Sequence, residues 1–210
     1  MALIQQVIAQ FADTSAWELI AVLLAMAYLL LALRENSLCW YCAFASTAIY
    51  TALFWQVSLL MESALNVYYM GMAVYGWYQW RRGGVLHRGV KIRAWPVKNH
   101  IAAGAMLLLA AWLSGIFLTA YTSAAWPYVD SFVTWGSVLT TWMVAKKVLE
   151  NWLYWILIDS LALMLYIDRG LNLTALLFFA YLIIVVFGYF SWRKQMESQH
   201  ADPGARTVGG

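Results

Sequence analysis

Residues 185–194 read VVFGYFSWRK, and residues 73–82 read AVYGWYQWRR. Aligned without a gap, Val74/Val186, Gly76/Gly188, Trp80/Trp192 and Arg81/Arg193 are identical, and Tyr75/Phe187, Trp77/Tyr189 and Tyr78/Phe190 keep an aromatic ring. Both stretches close an apolar run with a tryptophan followed by two cations, and they stand 112 residues apart. A second pair, ENSLCW at 35–40 and ENWLYW at 150–155, recurs in the same order at a separation of 115, each copy opening an apolar run. Two ordered matches predict an internal repeat, with Trp40 and Trp155 in equivalent places.

The apolar runs are membrane spans. The chain is 64% hydrophobic and 11% charged, with a mean hydropathy of +0.67, against about 45–50% and about 25% in soluble domains. A spanning helix needs about 20 mostly apolar residues, and seven stretches qualify: 17–33, 38–55, 59–80, 100–121, 127–147, 150–168 and 171–192. The predicted fold is an all-α integral membrane protein of seven transmembrane helices, two parallel three-helix repeats joined by a linker helix (3+1+3). The expected divisions are an N-terminal segment 1–16, repeat 1 over 17–80, a basic loop 81–99, the linker helix 100–121, repeat 2 over 127–192, and a flexible tail 193–210. One linker span restores the chain direction, so the repeats run parallel about an axis along the membrane normal. With the N-terminus outside, twelve of the thirteen lysines and arginines fall inside and only Arg169 outside, which the positive-inside rule reads as N-outside, C-inside. The opening residues lack the basic start of a signal peptide.

Several function classes fall away. The cations sit in loops between spans, so nucleic acid is not an expected partner. Cys39 and Cys42 form a C-x-x-C without a second pair or nearby histidines, so no metal and no cofactor are expected. An intramembrane enzyme needs a nucleophile with a base, or metal ligands, at bilayer depth, and no histidine is placed there. A retinal protein needs a lysine inside a span, and none is found. No Walker A motif is present, so ATP hydrolysis is not expected.

At 100° per residue, three spans carry polar stripes. Asn151, Trp152, Trp155, Asp159, Ala162 and Tyr166 share one face of the sixth span. Glu62, Asn66, Tyr69, Ala73, Trp77 and Trp80 share one face of the third, and Asp130, Thr134, Ser137 and Thr141 one face of the fifth, with Ser46, Thr47 and Tyr50 at mid-depth in the second. An acid at bilayer depth costs about 2.5 kcal/mol or more, so Asp159 is expected to face the interior of the bundle. Stacked aromatics hold flat rings and attract cations; amides and carboxyls bond hydroxyls and carboxamides. Asn151 and Asp159 are the candidate hydrogen-bonding groups, Trp152 and Trp155 the candidate ring clamp, and Asn66, Tyr69 and Trp77 the candidates that close the site from the first repeat. The second repeat is expected to hold most of the ligand. Trp80 and Trp192 read as interface anchors, and Glu35 and Glu150 as first-turn acids stabilised by the helix dipole.

YGWYQW at 75–80 and KKVLENWLYWILID at 146–159, with VDSF around Asp130, resemble the PnuC family of nicotinamide riboside transporters over essentially the whole chain. The resemblance implies a bacterial inner-membrane protein with the layout of full-length SWEET sugar transporters. It implies a homotrimer and facilitated diffusion of nicotinamide riboside, with trapping by cytoplasmic phosphorylation. Related members carry thiamin, riboflavin or other nucleosides. The implied partners are the small-molecule substrate and the lipid bilayer.

Overall fold

The structure is a computed structural model and describes residues 16–56, 60–84, 87–122, 126–168 and 172–201. Among these lie seven α-helices: α1 Ala16–Leu33, α2 Cys39–Gln56, α3 Leu60–Arg82, α4 Val97–Tyr121, α5 Pro127–Ala145, α6 Asn151–Asp168 and α7 Asn172–Ala201. Each coincides with an expected span to within a few residues, except that α7 runs well past 192. The segment 193–201, expected as flexible tail, is therefore helix. Ser191 Oγ and Gln195 Nε2 donate to the Leu33 carbonyl at 3.0 and 3.3 Å, and Gln199 Nε2 donates to Glu35 at 3.4 Å, so the polar extension is held on the α1–α2 turn. The segment 1–15, the last residues after Ala201, Arg169 and the Glu62 side chain lie outside what is described.

Among the described residues, three helices are long and apolar enough to cross a membrane by length and composition alone: α1, α4 and the Ala175–Gln199 part of α7. The others carry the polar stripes, which lower their hydropathy because those faces turn inward. α1 packs on α2, α2 on α3, α3 on α5, α5 on α6, α6 on α7, and α7 back on α1. Six helices thus close a ring. α4 packs along α5, meets α6 through His100 and Tyr154 at its first turn, and leaves Leu108, Leu109, Trp112, Leu113 and Phe117 exposed, as expected for a helix on the outside of a bundle in lipid.

Local structure recurs around this ring at a constant offset. α1 ends with Glu35 in the left-handed region (φ 57°), and α5 ends with Lys147 in the same conformation (φ 51°). Glu35 N–H donates to Ala32 and Asn36 N–H to Leu31, both at 2.9 Å; Lys147 N–H donates to Val144 and Val148 N–H to Met143, both at 3.0 Å. These are two copies of one left-handed helix cap. Glu35 and Lys147 are 112 residues apart and ion-paired to each other. Trp40 meets Trp80 at 5.4 Å and 85°, and Trp152 meets Trp192 at 5.4 Å and 88°. A Cβ on Gly76 would collide with the Trp40 indole, and one on Gly188 with the Trp152 indole. Trp80 Nε1 donates to the Val144 carbonyl at 3.2 Å, and Trp192 Nε1 to the Ala32 carbonyl at 2.9 Å.

This offset corrects the pairing of Trp40 with Trp155. Trp40 corresponds to Trp152, and Trp155 corresponds to Ala43. The matching letters of ENSLCW and ENWLYW are slipped by three residues, whereas the cap hydrogen bonds and the glycine-backed indoles set the true register. Trp80 and Trp192 are also corrected. They are 6% and 0% exposed, meet each other tilted by 57° at 5.8 Å and bond across the ring, so they are internal ties rather than interface anchors.

The basic loop is a strap rather than a loose connection. Arg93 N–H donates to the Lys147 carbonyl at 3.0 Å and the Arg93 carbonyl accepts from Leu149 N–H at 2.9 Å, forming a single parallel bridge beside Val148. Trp95 N–H donates to Glu150 Oε2 at 3.1 Å, and His100 Nδ1 lies 3.0 Å from the Tyr154 hydroxyl. Glu150 thus receives the strap, and Glu35 receives Lys147; neither serves chiefly as a first-turn acid.

Candidate functional site

Inside the ring lies a cavity of about 350 Å³ to which all six ring helices contribute and α4 does not. α3 presents Asn66 and Tyr69; α5 presents Asp130, Thr134, Ser137 and Thr141; α6 presents Trp155, Asp159, Ala162 and Tyr166. The last two sets repeat every three or four residues, because only one face of each helix can reach the interior. Asp159 is 3% exposed and Asn66 8%. Ser46 Oγ donates to the Ala21 carbonyl and Ser137 Oγ to the Val133 carbonyl, both at 2.8 Å. These hydroxyls therefore offer lone pairs, not protons, to anything inside.

Of the seven candidates, Asn66, Tyr69, Trp155 and Asp159 come together on this cavity. The other three do not. Asn151 is 0% exposed at the start of α6, where Nδ2 donates to the Val148 carbonyl at 2.6 Å and Oδ1 has no partner among the described residues. Trp152 is 1% exposed, wedged against Gly188 and Trp192. Trp77 lines a separate cavity near Arg81 and Lys147. The calculated arc on the sixth span was correct in direction but ran one turn too far: its first turn is occupied by the cap and by contact with α7.

The lining includes Ser46 and Thr47 of the second span, and also residues the stripes did not reveal: Tyr28 on α1, Trp40 and Ala43 on α2, and Phe178 and Tyr181 on α7. The register of 112 identifies Ala43, Phe178 and Tyr181 among them. Ala43/Trp155, Thr47/Asp159, Asn66/Phe178 and Tyr69/Tyr181 are equivalent pairs, and all eight residues line the cavity. Both halves build the lining in similar measure. Their chemistry differs, with a ring and an acid on one side facing a methyl and a hydroxyl on the other. Among the described residues the lining holds two carboxyls, Asp130 and Asp159, and no lysine, arginine or histidine. A buried carboxyl without a cationic neighbour is costly, and a cationic ring among aromatic faces would offset that cost.

Toward the end that carries Lys147, the interior is filled. Trp40, Trp80, Trp152 and Trp192 form one buried cluster, the Lys147 ammonium lies 4.7 Å from the Trp80 ring centroid, and the Lys147–Glu35 pair bridges the two caps. Among the described residues no three His, Cys, Asp or Glu side chains are grouped to hold a metal ion.

A family model described as nicotinamide mononucleotide transporter matches residues 15–194. The riboflavin/roseoflavin transporter RibM of Streptomyces davaonensis is 24% identical over 197 residues, covering 90% of each chain. The nicotinamide riboside transporter PnuC of Escherichia coli is 20% identical over 205 residues, covering 86% of each. A crystal structure of the vitamin B3 transporter PnuC superposes with a TM-score of 0.72 at 20% identity, covering 93% of this chain and 88% of that one.

Proposed function

The chain belongs to the nicotinamide mononucleotide transporter family, whose members found here are transporters and not enzymes, and we propose that it carries nicotinamide riboside across a bacterial inner membrane. The observation that supports this cargo is the acidic aromatic lining: among the described residues, two carboxyls, no basic side chain, and flat rings from Tyr69, Trp155, Tyr166 and Tyr181. The pyridinium of nicotinamide riboside is a flat cation, and its ribose and carboxamide suit Asn66, Asp159 and the back-bonded hydroxyls. Trp155 stacks on the ring, Asp159 offers the counter-charge, and Asn66 and Tyr69 face them from α3. Asn151 and Trp152 hold the start of α6 in place and act on the ligand only through Trp155.

Similarity to the riboflavin transporter favours a second cargo, a neutral flavin. Calorimetry on the purified protein separates the two. Tighter binding of nicotinamide riboside than of riboflavin or thiamin supports the first reading, and the reverse order overturns it.

The paired caps and indoles support two parallel three-helix units around a linker helix, the SWEET-like plan, and the lysine and arginine bias of the loops supports an N-outside, C-inside orientation. Alternating access would then rock these units about the axis near Trp80 and Trp192. Opening the inner end requires breaking two indole–carbonyl bonds and the Lys147–Glu35 pair. Transport is by facilitated diffusion, cytoplasmic phosphorylation traps the cargo, and the chain works as a homotrimer.

A further inference from the structure

A second cavity, of about 500 Å³, opens at the Lys147 end and is lined by Trp77, Arg81, Arg82, Arg88, Lys147 and Glu35, among others. Its volume falls within the roughly 300–1,000 Å³ of small-molecule sites. Glu35 is the one acid in the described lining, and Lys147 already holds it. Arg81, Arg82 and Arg88 are exposed and form no ion pair among the described residues. Three uncompensated guanidiniums therefore face one space.

Orientation alone would scatter these charges along the loop. Instead the loop folds back. Gly89 N–H donates to the Gly83 carbonyl at 2.9 Å and Val90 N–H to the Gln79 carbonyl at 3.0 Å, with Gly84 and Gly89 at φ 81° and 91°. This brings Arg88 beside Arg81 and Arg82 at the end of α3. Guanidinium forks bond phosphate oxygens in pairs, and the half-buried Trp77 ring offers a stacking face.

We propose that this cavity binds a phosphate-bearing anion. A nucleoside monophosphate is the soluble source of that group, and an anionic lipid headgroup is the membrane source. The proposal rests on the function above only in calling this mouth cytoplasmic, the side where a phosphorylated product would accumulate. Phosphate bridging Arg81, Arg82 and Lys147 would tie the end of α3 to the α5 cap.

The test uses the full chain in nanodiscs of phosphatidylcholine at low salt, titrated with AMP and with adenosine, and in nanodiscs containing phosphatidylglycerol. AMP should bind and adenosine should not. Affinity should fall as salt rises, and the double variants R81Q/R88Q and R82Q/R88Q should each weaken AMP at least tenfold. If the headgroup is the natural occupant, phosphatidylglycerol will weaken AMP binding competitively; if not, it will leave it unchanged. Absence of AMP binding, or binding unchanged in both variants, overturns the proposal. Nicotinamide riboside titrated into the same samples reports the central cavity separately: AMP binding without riboside binding removes the cargo assignment and leaves this site standing.

Discussion

Replacing Trp80 by Phe keeps an aromatic ring in the inner cluster but deletes the indole N–H that reaches the Val144 carbonyl at 3.2 Å. That carbonyl still accepts from Lys147 N–H at 3.0 Å, so no buried acceptor is orphaned and the loss is one net hydrogen bond, about 1 kcal/mol. The smaller ring loses packing against Trp40 and Trp192 as well, and together the two effects reach about 1–2 kcal/mol. If these contacts seal the inner end, the ratio of closed to open protein falls about 5- to 30-fold. The equivalent Trp192→Phe removes a 2.9 Å bond to Ala32 and should act with similar strength. Cys39 is 0% exposed within the same cluster, and its thiol is free. With Cys42→Ala as background, maleimide labelling of Cys39 under native conditions follows the open population, and its rate should rise by that factor in both variants. Rates within twofold of the parent in both would show that the tryptophans do not seal this end.

Asp159→Asn should weaken nicotinamide riboside at least about tenfold, the lower end of what losing a buried charge partner costs, while leaving a neutral flavin little changed; calorimetry with both ligands decides. Trp155→Ala should weaken binding and leave the melting temperature nearly intact. Trp152→Ala should do the reverse, since truncating a fully buried tryptophan costs about 3–5 kcal/mol; ligand titrations and thermal melts of the two variants separate the roles. Gly76→Ala and Gly188→Ala should destabilise alike, by about 1–3 kcal/mol from overpacking against an indole, and unequal melts would break the proposed equivalence of the halves. A reporter fused after Gly210 should be active only on the cytoplasmic side, and extracytoplasmic activity would refute the orientation.

The membrane class, the seven helices and the inward faces of α5 and α6 were legible in the sequence, because the bilayer demands long apolar runs and tolerates polar residues only on one face. Asp130, Thr134, Ser137 and Thr141 reach the cavity as their spacing requires. How far along a face the cavity extends was decided by tertiary structure. Trp152 and Trp155 lie on the same arc, yet one meets Gly188 and the other meets empty space, and a single-helix projection does not see the neighbour. The register of the repeat was decided in the same way. Letters suggested 115, but left-handed caps at Glu35 and Lys147, and indoles packed on Gly76 and Gly188, impose 112. A one-dimensional match scores identity of side chains; the fold repeats backbone hydrogen bonds and shapes, and those allow Asn151 to stand where the first half has Cys39.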